Sequence, residues 1–180
     1  CDAYPPGLVG QAYGIPDEPT MNLGFQRIAT GRYLGEGRNV IMLGPPGVGK
    51  THLAIGLGVA GAEMGHRVYF TSALELARRL GKALAENKLH RELHNFTRPK
   101  LLILDEVGYL ALDQNQASLL FQVISQRYDT GGSIVLTSNK PFAEWAHVFA
   151  GDAVMADVEV PFALRFVEAL PDGEAEIELS

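Results

Sequence analysis

Eight consecutive residues, GPPGVGKT at Gly44–Thr51, carry the clearest chemistry in this chain. They fit the spacing G-x-x-x-x-G-K-[ST] of a phosphate-binding loop. Gly44, Gly47 and Gly49 have no Cβ, so backbone N–H groups between them can approach an anion closely. Pro45, Pro46 and Val48 complete the loop. Lys50 supplies a point charge for terminal phosphates, and the Thr51 hydroxyl is a hard oxygen suited to Mg²⁺. His52 opens the segment that follows and closes the expected nucleotide-contact set. A second group, LLILDE at Leu101–Glu106, ends an apolar run in two carboxylates. Ligands of an open parallel sheet sit beyond the strands' C-terminal ends, so Asp105 is expected beside the loop, sharing the Mg²⁺ shell with Thr51. Glu106 is expected to orient and polarise an attacking water. A third group, TSN at Thr137–Asn139, ends another apolar run. A polar side chain there contacts a γ-phosphate or the attacking water, or else caps the helix that follows. Spacing leaves both readings open.

These groups need elements to hold them in place. Val40–Leu43 (VIML) reads as a buried strand directly before the loop, and Lys50–Met64 as the helix after it, stopped by Gly65. Arg67–Thr71 reads as a second strand. Ser72–Glu86 has the period of an amphipathic helix, with Leu74, Ala77 and Leu84 among its apolar positions. A polar helix is expected at Lys88–Phe96 and a buried strand at Leu101–Leu104. Asn115–Tyr128 reads as a helix with Leu119, Leu120, Val123 and Ile124 inward, ended by Gly131-Gly132. Ser133–Leu136 is the fourth strand, followed by a short helix at Phe142–Phe149. Further strands are expected at Val158–Pro161 and Glu176–Leu179. Strands alternating with helices imply an α/β fold, a three-layer sandwich around a mostly parallel sheet of five strands. Residues 1–36 read as an irregular Pro/Gly-rich arm with a short helix in 21–36, and residues 37–180 as one core.

At 180 residues and 47% apolar content the chain suits one domain with a proper core. No apolar run approaches a membrane span and no secretory signal is visible. A lone Cys1 suits a reducing compartment, so a cytoplasmic location is expected. Cys1 also stands where an initiator Met is expected, which suggests a fragment of a longer protein. The net charge of −6 argues against a uniformly basic nucleic-acid binder. Its distribution is uneven. Residues 78–100 hold Arg78, Arg79, Lys82, Lys88, Arg91, Arg98 and Lys100 against Glu86 and Glu92, a net of +5. Residues 151–180 hold eight acids against Arg165, a net of −7. His90 and His94 are spaced i, i+4, which can suit a metal, but no third ligand is evident and both are read as part of a polar face.

GPPGVGKTHLAIGLG, LLILDEVGYLALDQNQASLLFQVISQRYDTGGSIVLTSN and PFAEW resemble the IstB/DnaC-like family of AAA+ ATPases, over roughly Gly37 to Asp152. The match is stronger to the IstB branch, the helper ATPases of transposition, than to the DnaC and DnaI helicase loaders. The resemblance implies a P-loop NTPase core of AAA+ type that binds and hydrolyses ATP with Mg²⁺ and assembles as a homo-oligomer on DNA. It implies Walker A roles for Lys50 and Thr51, Walker B roles for Asp105 and Glu106, and a sensor role for Asn139. A transposase or replicative helicase partner would engage an N-terminal region missing here. With DNA as the implied ligand, Arg78, Arg79, Lys82, Lys88 and Arg91 become a candidate surface for duplex backbone, against the plainer reading of a solvated helix face. The chain departs from the family after Asp152, where relatives carry a segment like LDRLLHH whose Arg serves a neighbouring subunit's ATP. Here the sequence reads DVEVPFALRFVEAL, and Arg165 is the sole Arg beyond Asn139, so the catalytic-finger role falls to it, with Arg127 as runner-up. Rival readings are a helicase loader, a nucleotide-gated DNA-binding module with little turnover, and a small-molecule kinase.

Overall fold

The computed structural model describes Ile28, residues 30–109 and 112–140, and the backbone of 168–169 and 175–176. Four strands form the main sheet: β1 (Val40–Leu43), β2 (Val68–Ser72), β3 (Leu101–Val107) and β4 (Ser133–Ser138). They pair in parallel in the order β1-β4-β3-β2. The helices with described bounds are α1 (Arg32–Gly35), α2 (Lys50–Glu63), α3 (Ala73–Ala85), α4 (Leu89–Thr97) and α5 (Gln114–Asp129). Two short strands, β5 (Glu168–Ala169) and β6 (Ala175–Glu176), pair antiparallel. Of the strand expected at Glu176–Leu179, Glu176 lies in β6, and residues 177–179 lie outside the described residues. The fifth strand expected at Val158–Pro161 and the helix at Phe142–Phe149 lie outside the described residues.

Side chains of the sheet alternate between two cores. Ile41, Leu43, Leu102, Leu104, Ile134 and Leu136 pack into the layer built by α3, α4 and α5. Val40, Leu101, Ile103 and Val135 face the other way, into the layer of α1 and α2. Strands β1, β3 and β4 are buried on both faces, which is why they read as apolar runs, whereas the edge strand β2 is half-buried with Phe70 exposed. The three-layer α/β expectation holds in this core. Helix α2 lies very close on β3: a Cβ at Gly58 would stand 2.6 Å from Ile103 Cδ1. That close seat brings the start of α2, and the loop before it, over the ends of β1, β3 and β4.

Local signals account for the helix boundaries. Ser72 Oγ accepts the Glu75 N–H at 3.2 Å and caps α3. Asp113 and Gln116 form a reciprocal capping box at the start of α5. Leu119, Leu120, Val123 and Ile124 are buried along α5, as their spacing implies. On α3 the periodicity is correct but its phase shifts. Ala73, Leu76, Ala77, Leu80 and Ala83 form the buried face, whereas Leu74 and Leu84 are exposed. Both exposed leucines fall outside the stripe that one helix face can bury.

Arg127 has a structural role that its charge conceals in the sequence. Its side chain is fully buried near the end of α5. Nη1 donates to the carbonyls of Phe96 (2.8 Å) and Pro99 (2.9 Å), and Nη2 to those of Lys100 (3.0 Å) and Ser133 (2.6 Å). One guanidinium thus ties the last turn of α4 to the starts of β3 and β4. Burial pushes its pKa down to about 10. This removes Arg127 as the runner-up catalytic finger: the side chain is fully buried and both Nη groups are already engaged inside the fold.

Candidate functional site

The phosphate-type loop links β1 to α2, and the Gly44 N–H donates to the Ser138 carbonyl at 3.3 Å, which anchors the loop on β4. Gly47 and Gly49 hold φ of 84° and 91°, conformations that a side chain would strain. Gly49 also precedes the first turn of α2, whose free N–H groups face the loop. Lys50 Nζ donates to the carbonyls of Gly44 and Pro45, each at 2.7 Å. Its ammonium therefore folds back over the loop that a phosphate would share. Partial burial lowers the Lys50 pKa, and Asp105 acts in the opposite direction.

Asp105 is buried near the end of β3, opposite Ser72 in the register. Its Oδ1 accepts the Thr51 hydroxyl at 3.0 Å and also the Thr137 hydroxyl. Thr51 and Asp105 together present hard oxygens at one spot, a donor set that fits Mg²⁺. Glu106 behaves differently from its neighbour. The β3–β4 register shifts between Leu104 and Val107, and Glu106 sits in this irregularity with φ 60°. A left-handed residue other than Gly costs roughly 1–2 kcal/mol. Two backbone bonds support that geometry: the Glu106 N–H donates to Thr137 Oγ1 at 3.0 Å, and its carbonyl accepts the Tyr109 N–H at 3.3 Å. At this irregularity Glu106 is exposed while Asp105 stays buried.

A cavity of about 320 Å³ opens here. Pro46, Gly47, Gly49, Lys50, Thr51 and His52 line one side, with Glu106, Tyr109, Thr137, Ser138 and Asn139 on the other. The sequence-derived residues Lys50, Thr51, His52, Glu106 and Asn139 thus converge on one space. Asp105 stands behind it, bonded to Thr51 and Thr137. Gly44, Pro45 and Val48 belong to the loop without lining the cavity. Asn139 Oδ1 is buried with no hydrogen bond among the described residues. Ser138 Oγ donates to the Val107 carbonyl at 2.6 Å and accepts the Lys140 N–H at 3.0 Å, which fixes the turn that carries Asn139. Arg165 lies outside the described residues. Tyr109 and Thr137 were missed as individual site residues. The signal for Thr137 is a polar residue inside an apolar run on the strand next to Asp105, but only the β3–β4 register reveals it.

The cationic segment on α3 and α4 is less free than its charge count implies. Arg78 forms two bonds to Glu75, at 2.8 and 2.9 Å. Lys82 and Lys88 both face Glu86. Arg79 donates to Glu92 at 2.7 Å and to the Tyr69 hydroxyl, and its guanidinium stands 4.9 Å from the Phe96 ring centroid. Arg79 is thereby engaged in joining α3, α4 and β2. Arg91 and Arg98 are exposed and make no ion pair among the described residues. His90 and His94 are exposed, His90 in the first turn of α4 and His94 in its last.

A family model described as "IstB-like ATP binding protein" matches residues 21–160. A Pseudomonas aeruginosa protein named for insertion sequence IS21 and for ATP binding is 50% identical over 124 residues, covering 69% of this chain and 46% of that one. A Geobacillus stearothermophilus protein named likewise for IS5376 is 45% identical over 132 residues, covering 73% and 52%. The chain spans about half the length of the curated relatives it matches. Among solved structures, the DnaC helicase loader superposes with a TM-score of 0.62 at 26% identity, covering 83% of this chain and 82% of that one. DnaA bound to AMPPCP and single-stranded DNA superposes at 0.65 with 21% identity, covering 74% and 42%, a likeness of fold.

Proposed function

This chain belongs to the IstB-like ATP-binding protein family, and from that premise we propose that it is a Mg²⁺-dependent ATPase module acting on DNA as a helper of transposition. The observation that carries this reading is the convergence of Lys50, Thr51, Asp105, Glu106 and Asn139 at the ends of β1, β3 and β4. The loop N–H groups and Lys50 bind the triphosphate, Lys50 exchanging two carbonyl partners for phosphate oxygens. Thr51 and Asp105 hold Mg²⁺, which when bound neutralises charge on the phosphates. The Glu106 carboxylate accepts a hydrogen bond from water and directs its lone pair at the γ-phosphate. Asn139 supplies an amide at the same end of the cavity. Catalysis on this plan is positioning and charge stabilisation. An Arg from a neighbouring copy adds about 10³–10⁵ in rate in comparable sites. Arg165 is the candidate for that role in a homo-oligomer assembled on ATP and DNA.

The test begins with Lys50→Ala. A charge-assisted phosphate contact is worth about 1.5–3 kcal/mol, so ATP affinity is expected to fall roughly tenfold to a hundredfold. Equal affinity in wild type and variant, measured with a fluorescent ATP analogue, would remove the loop from nucleotide binding.

DNA contact is expected to run through cations that make no ion pair among the described residues. Replacing Arg91 and Arg98 with Ala should weaken binding equally on unrelated duplexes. The slope of log affinity against log salt should flatten by about one for each phosphate that is no longer neutralised. Titrations at several salt concentrations measure this, and an unchanged slope would make α4 a solvated face. A helicase-loader reading is supported by the extent of the DnaC superposition. It predicts binding to a replicative helicase in place of a transposase, which a pull-down with each purified protein separates.

A further inference from the structure

We propose that Thr137 is a positioning residue for ATP hydrolysis, its single hydroxyl fixing both acidic residues of the site at once. The inference rests on the ATPase reading above and adds to it a residue on a different strand from those acids. Thr137 is 1% exposed on β4, opposite Met42 of β1. Its Oγ1 donates its one proton to Asp105 Oδ1 and accepts the N–H of Glu106 at 3.0 Å. A hydroxyl has one proton and two lone pairs, so both functions of this group are in use.

The consequences differ for the two acids. Asp105 Oδ1 is held between Thr51 of the loop and Thr137 of β4. Its Oδ2 makes no hydrogen bond among the described residues. The carboxylate is thereby held in one rotamer, with one oxygen committed and the other available. For Glu106 the bond goes to the backbone, at the residue whose φ of 60° turns its side chain into the cavity. Without an acceptor at Thr137 Oγ1, that N–H would lie unpaired beside a bulge, and the backbone would be free to relax out of the left-handed region. Thr137 also sits two residues before Asn139, whose buried Oδ1 has no partner among the described residues. The tip of β4 therefore connects the group facing the γ-phosphate end of the cavity to the group that orients water.

Three chains decide the matter: wild type, Thr137→Val, which keeps the shape and removes the hydroxyl, and Thr137→Ser, which keeps the hydroxyl. Steady-state phosphate release, a Mg²⁺ titration of binding to a fluorescent non-hydrolysable ATP analogue, and a thermal melt are measured on each. Turnover of Thr137→Val should fall about tenfold or more with analogue affinity at saturating Mg²⁺ within about twofold. Its half-saturating Mg²⁺ concentration should rise severalfold. Thr137→Ser should restore both to near wild type. Should the Val variant fail to fold, Thr137→Ala carries the same expectations. Wild-type behaviour of the Val variant in both assays overturns the proposal, as does an equal loss in the Ser variant, which would assign the effect to shape. A wild-type chain that binds the analogue with Mg²⁺ but releases no phosphate overturns the ATPase reading instead. The Mg²⁺ titration then decides the Thr137 assignment by itself.

Discussion

Glu106→Gln is expected to bind ATP as tightly as wild type and to hydrolyse it about 10²–10⁴ times more slowly, the usual contribution of a positioned general base. The amide has nearly the same volume and rotamers as the carboxylate but cannot accept a proton. The structure explains why the effect should be confined to hydrolysis. The left-handed geometry of Glu106 is supported by its backbone N–H and carbonyl, bonded to Thr137 and Tyr109, and both bonds survive the substitution. The side chain itself is exposed and makes no hydrogen bond to other described residues, so the substitution leaves the packing of the fold intact. Asp105, which is buried and doubly bonded, has the opposite profile, and its replacement would disturb the loop as well. Single-turnover phosphate release beside analogue binding separates the two properties. Turnover within a few-fold of wild type would move the water-orienting role to another group, with Asn139 the nearest candidate in the cavity.

Arg127→Met is expected to destabilise the fold by about 3–5 kcal/mol, since several buried carbonyls lose a charged donor at roughly 1–3 kcal/mol each. For a domain of this size that corresponds to a fall in Tm on the order of 10 °C. Met fills much of the same volume, so the effect isolates the hydrogen bonds. The carbonyls of Phe96, Pro99, Lys100 and Ser133 would lose a shared donor in the interior. The Phe96 carbonyl also belongs to the last turn of α4, where a cation opposes the helix dipole. Arg127→Lys should recover little, because an ammonium has three donors and no planar fork to reach four carbonyls. Gly132 depends on the same packing, since a Cβ there would lie 2.8 Å from Arg127 Nη2. Urea and thermal unfolding test this. A shift below about 2 °C would mean that water replaces the guanidinium without cost.

These two residues mark what the sequence alone determined and what it left to the fold. The phosphate loop, the strand before it and the helix after it were legible because their signal is local: glycines at fixed spacing, an apolar run and a periodic stretch. Strands β1, β3 and β4 were legible for the same reason, as burial demands continuous apolar sequence, whereas β2 at the sheet edge is only half-buried and was read from its β-branched and aromatic residues. The pair Asp105 and Glu106 was legible as chemistry but not as geometry. Nothing in LLILDE announces that the second acid leaves the ladder with a positive φ while the first stays buried. That difference depends on the parallel register, which sets β4 against β3 and places Thr137 between the two acids from about thirty residues away. The same reason governs the cations. Arg127, read from sequence as the runner-up catalytic finger, is a buried tie. Arg78, Arg79, Lys82 and Lys88 counted as positive charge, while the packing of α3 against α4 and β2 supplied the partners of Arg79. Composition records which groups a chain carries, but pairing depends on distances between elements remote in sequence. Only the tertiary structure fixes those distances.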